Sequence, residues 1–451
     1  MMPRMHSTSR KHLGQQYAVK HLNGAKRENL VKRACWCFAF VLIAATISLS
    51  IAPAGESFAR PPQMAGANTP IALVGERIYV SPSVAPIENG VILIRDGKIA
   101  AVGKHGKVKV PEGTGELDCR GMYVTAGFQN SHIHFTQPMW NDAAKLPATQ
   151  LAQQLEMNFT RYGVTTVVDT GSDLANTEAI RNRIDSGEVP GPRILTSGSP
   201  LYPPNGVPYY LKGSLPEEIL KQLAQPKTPA EAVRIVDERI AGGADIIKLF
   251  TGSWVARGHV VTMPLDVAEA AVTEAHKHGK LVWAHPSNVA GFQIALQAHV
   301  DVLAHAVEDL QGWKSSYLRQ MKSDGMWMIP TLALFAHDLN IADIMQEVDD
   351  YADMHGPILF GTDAGFLPDF NPTQEYLILQ RAGLTFNQIL DSLTTAPAKR
   401  FGESATRGQI RPGMDADLAV LARDPQQDIS NLANVVYTFR QGQIVYSASN
   451  H

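Results

Sequence analysis

Cysteine is scarce. The 451 residues contain three, and two of them, Cys35 and Cys37, lie in a basic and apolar N-terminal stretch, so Cys119 stands alone in the body of the chain. That excludes a disulfide framework and leaves packing as the source of stability. Cys119 itself reads as a small buried hydrophobe rather than a nucleophile. Charged residues are 18% and hydrophobic residues 45% of the chain, an ordinary globular balance that excludes disorder as the default state. Basic charge is lacking beyond the start. The whole chain carries −3, the first 59 residues hold eight Lys/Arg against Glu28 and Glu56, a net +6, and the remainder therefore stands at −9. An acidic body argues against nucleic acid as a partner. No Gly-x-Gly-x-x-Gly turn follows the first strand of the central region, which disfavours the rival architecture of an open doubly wound sheet.

Only one long hydrophobic run is present, from Ala34 to Ala52. It follows a basic stretch from Arg4 to Arg33 and precedes small residues at Ala52-Pro53-Ala54 and Ser57-Phe58-Ala59. Residues 1–59 therefore read as a secretory leader of an exported, periplasmic or secreted protein, with Met5 as an alternative start. Left uncleaved, the same run would anchor the chain in the inner membrane, the one circumstance in which a membrane is a partner. Residues 60–69, rich in Pro, Ala and Gly, read as a linker.

Two textures follow. From residue 70 to 124 short β patterns surround the turn Asp96-Gly97, a strong hairpin signal, and the same texture returns over 404–451, with Ala416 to Leu421, Val435 to Phe439 and a turn before Gln443. One small composite β-sandwich domain built from both ends is expected. Between them, over 125–403, strand-like runs alternate with helical spacing: Tyr123 to Phe128, Thr165 to Val168, Arg193 to Thr196, Ile246 to Leu249, Leu281 to Ala284, Val302 to Ala304, Met326 to Ile329 and Ile358 to Phe360. Pro229 to Ala241 and Leu265 to His278 are among the helical segments. Eight such units predict a (β/α)8 TIM barrel, an α/β fold whose chemistry sits at the C-terminal strand ends.

Six residues fall at those ends. His132 and His134 closely follow the first strand, and positions i and i+2 of an extended segment point the same way, so both imidazoles can reach one cation at about 2 Å. Alone, a His-x-His pair is equally compatible with solvated or core histidines. Lys248 closes the fourth strand, where an ammonium is costly to bury unless neutralised, paired or exposed. It could serve as a carbamate bridging two cations, as a surface salt bridge, or as an imine-forming nucleophile. His285 and His305 end the fifth and sixth strands and suit a second cation. Asp363 ends the eighth, where a carboxylate can bind metal and accept a proton, or simply terminate a turn. The conjunction of all six points to a metal centre. By contrast His276, His278 and His299 lie in helical stretches and read as surface, and His105 as a bystander.

The chain resembles the amidohydrolase superfamily, in its imidazolonepropionase-like and Xaa-Pro dipeptidase-like branch. The residues carrying the resemblance are Gly127 through His134, Gly163-Val164-Thr165-Thr166-Val167, Gly243 through Lys248, His285, Asp301 through His305, and Gly361-Thr362-Asp363-Ala364-Gly365. Leu393 through Ala398 and Gly413 through Leu418 extend it, so that coverage runs from about residue 71 to the end. The resemblance implies a barrel with a composite β domain and metal ligands at His132, His134, Lys248, His285, His305 and Asp363, with Lys248 carboxylated by carbon dioxide. Two departures stand out. Ala126-Gly127 and Asn130 replace the usual Pro-Gly and Asp, and Asn288 stands where deaminase relatives carry a glutamate. Asparagine is neither acid nor base, so ring deamination gives way to hydrolysis.

The expected activity is metal-dependent cleavage of C–N bonds in small amides, dipeptides or N-acyl amino acids, by a hydroxide bridging two divalent ions, Zn2+ in the first instance, with Asp363 taking the proton. Esters, lactones or phosphotriesters are alternative substrates of the same site, a metal-free lyase or a non-catalytic barrel the alternative classes, and a homo-oligomer is compatible with the chain. Arg257, Tyr209, Tyr210 and Trp254 fall in loops after strands three and four, where they could hold a substrate carboxylate or aromatic group or be loop surface.

Overall fold

In the computed structural model, residues 70–448 are described; the expected leader and the expected linker lie outside the described residues. The chain opens with β1 (Ile71–Tyr79), β2 (Ile87–Arg95), β3 (Lys98–Lys104) and β4 (Gly115–Ala126). Asp96 and Gly97 join β2 to β3 with φ of 51° and 72°, the doubly left-handed turn whose twist matches a hairpin. β4 adds parallel to β1 on its other side. After the central region β14 (Leu418–Leu421) returns antiparallel to β4, β15 (Val435–Arg440) pairs antiparallel with β14, and β16 (Gln443–Ser447) pairs antiparallel with β15 through a second left-handed turn at Gln441-Gly442.

Both ends of the chain thus build one sheet, in the order β16-β15-β14-β4-β1-β2-β3. This corrects the expected sandwich: its described strands form a single seven-stranded sheet. One face carries Leu73, Ile92, Leu117, Val124, Leu418, Val420 and Phe439, whereas Ala72, Val74, Val91 and Leu93 form a smaller cluster on the other, the period-2 alternation that lets one sheet present two apolar faces.

The central region runs through β5 (Phe128–Ile133), β6 (Val164–Asp169), β7 (Arg193–Thr196), β8 (Ile246–Phe250), the hairpin β9 (Gly252–Ala256) and β10 (His259–Thr262), β11 (Leu281–His285), β12 (Val302–Ala304) and β13 (Trp327–Ile329). Helices alternate with these strands, including Pro229–Ala241 and Leu265–Lys277. The first expected barrel strand is displaced. Tyr123 to Ala126 belong to β4 and the composite sheet, and the barrel-side strand begins only at Phe128. Gly127 divides them: its N–H donates to Asp417 O, and a Cβ there would lie 2.5 Å from Thr165, so a side chain cannot occupy the crossing.

The parallel strands lie in two sheets, β5-β6-β7 and β13-β12-β11-β8. Isolated hydrogen bonds connect their edges. On one side Asp245 N donates to Thr196 O, and Leu201 exchanges bonds with Lys248 O and Phe250 N. On the other, the expected eighth strand is an extended segment rather than a ladder strand: Leu359 N reaches Met328 O, and Ser131 N reaches Phe360 O. Pro357 and Gly361 flank this segment, and neither residue favours a continuous central ladder.

Apolar residues at helical spacing seal the strands from outside, as in Ala232, Ile235 and Val236 on one helix and Val267, Ala268, Ala271, Val272 and Ala275 on the next. Cys119 is fully buried in the composite sheet, and burial pushes its thiol up to about 12, which makes it inert packing. Among the described residues no helix is long and apolar enough to cross a membrane. Phe439 is fully buried in the same sheet. Phe439→Ala should cost about 3–5 kcal/mol of stability, read as a lowered urea midpoint.

Candidate metal centre

His132 lies within β5, not after it, and is 1% exposed, and His134 follows one residue past the strand's end. Their i, i+2 spacing brings both to one carboxylate: His132 Nε2 is 3.3 Å and His134 Nε2 2.9 Å from Asp363 Oδ1. Asp363 is 2% exposed and sits at φ 58°, a left-handed conformation that aspartate tolerates better than bulkier residues. Its backbone N–H and that of Thr362 both donate to His132 O.

Asn130 explains how a departure from the family pattern is accommodated. Its Nδ2 donates to Thr362 Oγ1 at 2.8 Å while its Oδ1 accepts from the N–H groups of His132 and Thr362, so one amide ties the β5 histidine to the Asp363 segment. Gly365 completes the join at φ 99°, where a Cβ would meet His134 O at 1.9 Å.

Lys248, His285 and His305 approach from the other sheet. Ring centroids are 4.5 Å apart for His132 and His305, and 4.9 Å for His305 and His285. Phe250 stacks on His285 at 4.4 Å. Lys248 is 2% exposed and its Nζ donates to Ala304 O at 3.2 Å. Burial drives the Lys248 ammonium down to about 7, against the opposing pull of Asp363. Burial first, and the nearby Lys248 charge next, hold His132 and His285 well below the ordinary imidazole range; His305 is lowered by burial, then by His285 and Lys248. Neutral imidazole is the form that binds metal.

The residues present fit divalent cations. Ligand atoms of His132, His305 and Asp363, all buried, lie within 4.8 Å of one another, and His132 Nδ1 is buried without a hydrogen-bond partner. Imidazole and carboxylate donors suit Zn2+. The other three candidates border this group: His134 meets Asp363 Oδ1, the His285 ring lies beside that of His305, and Lys248 Nζ donates to the carbonyl of Ala304, the residue before His305.

Several supporting groups had escaped sequence reasoning. Thr331 Oγ1 lies 2.5 Å from His305 Nδ1, which leaves the ring's Nε2 as its remaining donor atom. Glu375, 1% exposed on helix Thr373–Arg381, accepts from the next two N–H groups, Leu332 at 2.9 Å and Ala333 at 2.6 Å. Glu347, 3% exposed on helix Ile341–Asp353, accepts from Val307 N, two residues beyond His305. Burial pushes both glutamates up to about 8. Asp169, fully buried at the end of β6, gathers Ser172, Thr177 and Thr196 hydroxyls. One signal was available: Glu347 shares its helix stripe with Ile344, Val348 and Tyr351, and an acid inside an apolar stripe demands partners.

Other sequence candidates have different roles. Asn288 caps helix Val289–Gln297 by accepting from Gly291 N at 2.9 Å. Arg257 is exposed on the β9–β10 hairpin, and Trp254 Nε1 donates to Glu308 Oε2 at 2.7 Å. His276 is exposed on its helix and reaches Asp301 at 2.8 Å, and His278, at that helix's end, reaches Asp237 at 3.1 Å. His299 is not helical but sits at φ 58° in the turn after the helix.

Comparison with known proteins agrees with this geometry. An uncharacterised protein of Mycobacterium bovis is 27% identical over 262 residues, 52% of this chain and 64% of that protein, so the chain spans less than two thirds of that relative. The ochratoxinase of Aspergillus niger is 24% identical over 398 residues, 76% of this chain and 79% of that protein. Among solved structures, a Xaa-Pro dipeptidase with methionine bound in its active site superposes with a TM-score of 0.73 at 22% identity, covering 84% of this chain and 100% of that one. That likeness establishes a shared fold. The sequence profile of the amidohydrolase family matches residues 123–445, which includes all six candidate residues, and the chain belongs to the amidohydrolase family.

Proposed function

We propose that the chain is a metal-dependent hydrolase that cleaves C–N bonds of small amides such as dipeptides and N-acyl amino acids. The observation that carries this reading is the meeting of His132 Nε2 and His134 Nε2 on Asp363 Oδ1 in a buried cluster that also contains Lys248, His285 and His305. The names of proteins with a similar fold, a Xaa-Pro dipeptidase and an ochratoxinase, support amide substrates. On this reading the two parallel sheets and the segment after Pro357 act as one (β/α)8 barrel, and the basic and apolar start of the chain serves export.

His132, His134, His285, His305, Asp363 and Lys248 would hold two divalent ions. When bound, such ions supply Lewis acidity toward a carbonyl oxygen and make water nucleophilic at neutral pH. Lys248 would contribute as a carbamate: its neutral amine adds to the carbon of carbon dioxide, loses one proton and gains two oxygens able to bridge. Asp363 Oδ1, which lies beside the Nε2 atoms of both imidazoles, takes the proton of the attacking water and delivers it to the leaving nitrogen. Asn288, engaged as a helix cap, leaves that shuttle to Asp363. Thr331 holds the His305 ring, and Glu375 and Glu347 fix the backbone on either side of that contact.

Purified protein should contain two divalent ions per chain by elemental analysis and hydrolyse members of a library of dipeptides and N-acyl amino acids; metal-free protein with undiminished hydrolysis would refute the reading. Asp363→Asn should lower kcat by roughly 10²–10⁴-fold while much of the metal stays bound. Glu375→Ala should weaken metal affinity by roughly 10–100-fold in chelator competition, with Glu375→Gln between the two; equal affinity in all three would remove its positioning role.

A further inference from the structure

Among the described residues, two aromatic side chains leave more than two-fifths of their surface uncovered, Tyr209 at 41% and Phe366 at 45%. They are far apart in sequence, yet both pack on Tyr210. The Tyr209 and Tyr210 ring centroids are 5.7 Å apart at 73°, and those of Tyr210 and Phe366 are 5.3 Å apart at 63°, edge-to-face arrangements that leave ring faces available.

This trio adjoins the candidate metal centre. Phe366 lies three residues beyond Asp363, in a turn closed by Leu367 N donating to Asp363 O and Gly365 N to Leu367 O, both at 2.9 Å. Thr136 Oγ1 and Gln137 Nε2 fasten Gly365 O from the β5 side. Tyr210 is partly buried, and its phenol is raised by burial, then by Tyr202, Asp363 and Glu308, so Asp363 is near enough for its charge to act on the ring's hydroxyl. Its loop is tied down as well, by Ser253 Oγ donating to Gly206 O at 2.5 Å. These rings are therefore held in place rather than carried on loose loops, the condition under which a contact surface adds to affinity instead of losing it to ordering.

Two exposed rings packed on a third, one of them in the turn that follows Asp363, make an aromatic surface beside a polar, buried cluster, the combination that marks a ligand-contact surface. Three side chains are too few for a stable protein interface, which removes about 800 Å² per partner from water, but they match one flat ring. We propose that Tyr209, Tyr210 and Phe366 form the wall that receives an aromatic ring of the substrate, so that the preferred amides carry an aromatic group next to the scissile bond. This rests on the hydrolase reading above and narrows its substrate class.

The test compares N-acetyl-L-phenylalanine and N-benzoyl-L-alanine, which place the ring on the amine and acyl sides, with N-acetyl-L-alanine. At least one ring-bearing compound should show kcat/KM about tenfold or more above the alanine compound, and Phe366→Ala should erase most of that ratio, with Tyr209→Ala acting in the same direction more weakly. Both side chains are exposed, so an unchanged circular dichroism spectrum and Tm should accompany the loss. Equal kcat/KM across the three compounds, or a ratio untouched by Phe366→Ala, would overturn the proposal. If none is hydrolysed, calorimetric binding of N-acetyl-L-phenylalaninamide and N-benzoyl-L-alaninamide against N-acetyl-L-alaninamide reads the wall directly: a tenfold preference for a ring-bearing amide that Phe366→Ala removes sustains it and refutes only the reaction, and no preference refutes the wall. A change of oligomeric state on Phe366→Ala in size-exclusion chromatography would assign the patch to a second copy instead and also overturn it.

Discussion

Everything at the mouth of this fold depends on removing water from around a single carboxylate. Asp363 is nearly inaccessible, yet two histidine nitrogens approach one of its oxygens and a buried lysine lies among the neighbouring rings. Charge in such a place is expensive unless it is compensated. The histidines answer by staying neutral, and the lysine by a pKa lowered to about 7. A cluster of neutral nitrogen donors around a carboxylate is poorly suited to holding a core together. It is well suited to receiving cations, and the same burial that destabilises charge on the protein strengthens attraction to a bound ion.

Holding that cluster falls to groups outside the six candidate ligands. The His305 ring is bound through Thr331, the strand ends on either side are gripped by Glu347 and Glu375, and Asp169 organises the loop after β6 with three hydroxyls. Two buried glutamates raised to about 8 are a stability cost near neutral pH. A folded pKa above the ordinary one contributes stability at low pH that is lost as pH rises through the folded value. Retaining such groups is consistent with their geometric role, since backbone N–H groups that face inward after a strand end must find acceptors.

Much of this was legible in the sequence because the signals are local. The two-residue turn at Asp96-Gly97, the strand texture at both ends, the alternation of runs and helices, and the His-x-His pair each depend on residues close in the chain. The misplacement of the first barrel strand has an equally local cause: Tyr123 to Phe128 is one apolar run, and nothing in its pattern reveals that Gly127 hands the chain from one sheet to another. The expected sandwich became a single sheet for a related reason, because alternation reports that both faces are apolar without reporting what covers each. Glu375 and the tie from Asn130 to Thr362 were unreadable as supports, since the residues they join lie 42 or more positions apart.

The sequence by itself determined the donor set and its order along the chain, because metal-competent side chains at strand ends are a matter of residue type and periodicity. Tertiary structure alone decided that His132 and His134 share one oxygen of Asp363, 229 residues from His134, that Asn130 secures them, and that Tyr209, Tyr210 and Phe366 stand together beside them. Contacts of that range depend on how separate strands and loops are brought side by side in space, and spacing along the chain carries no measure of it.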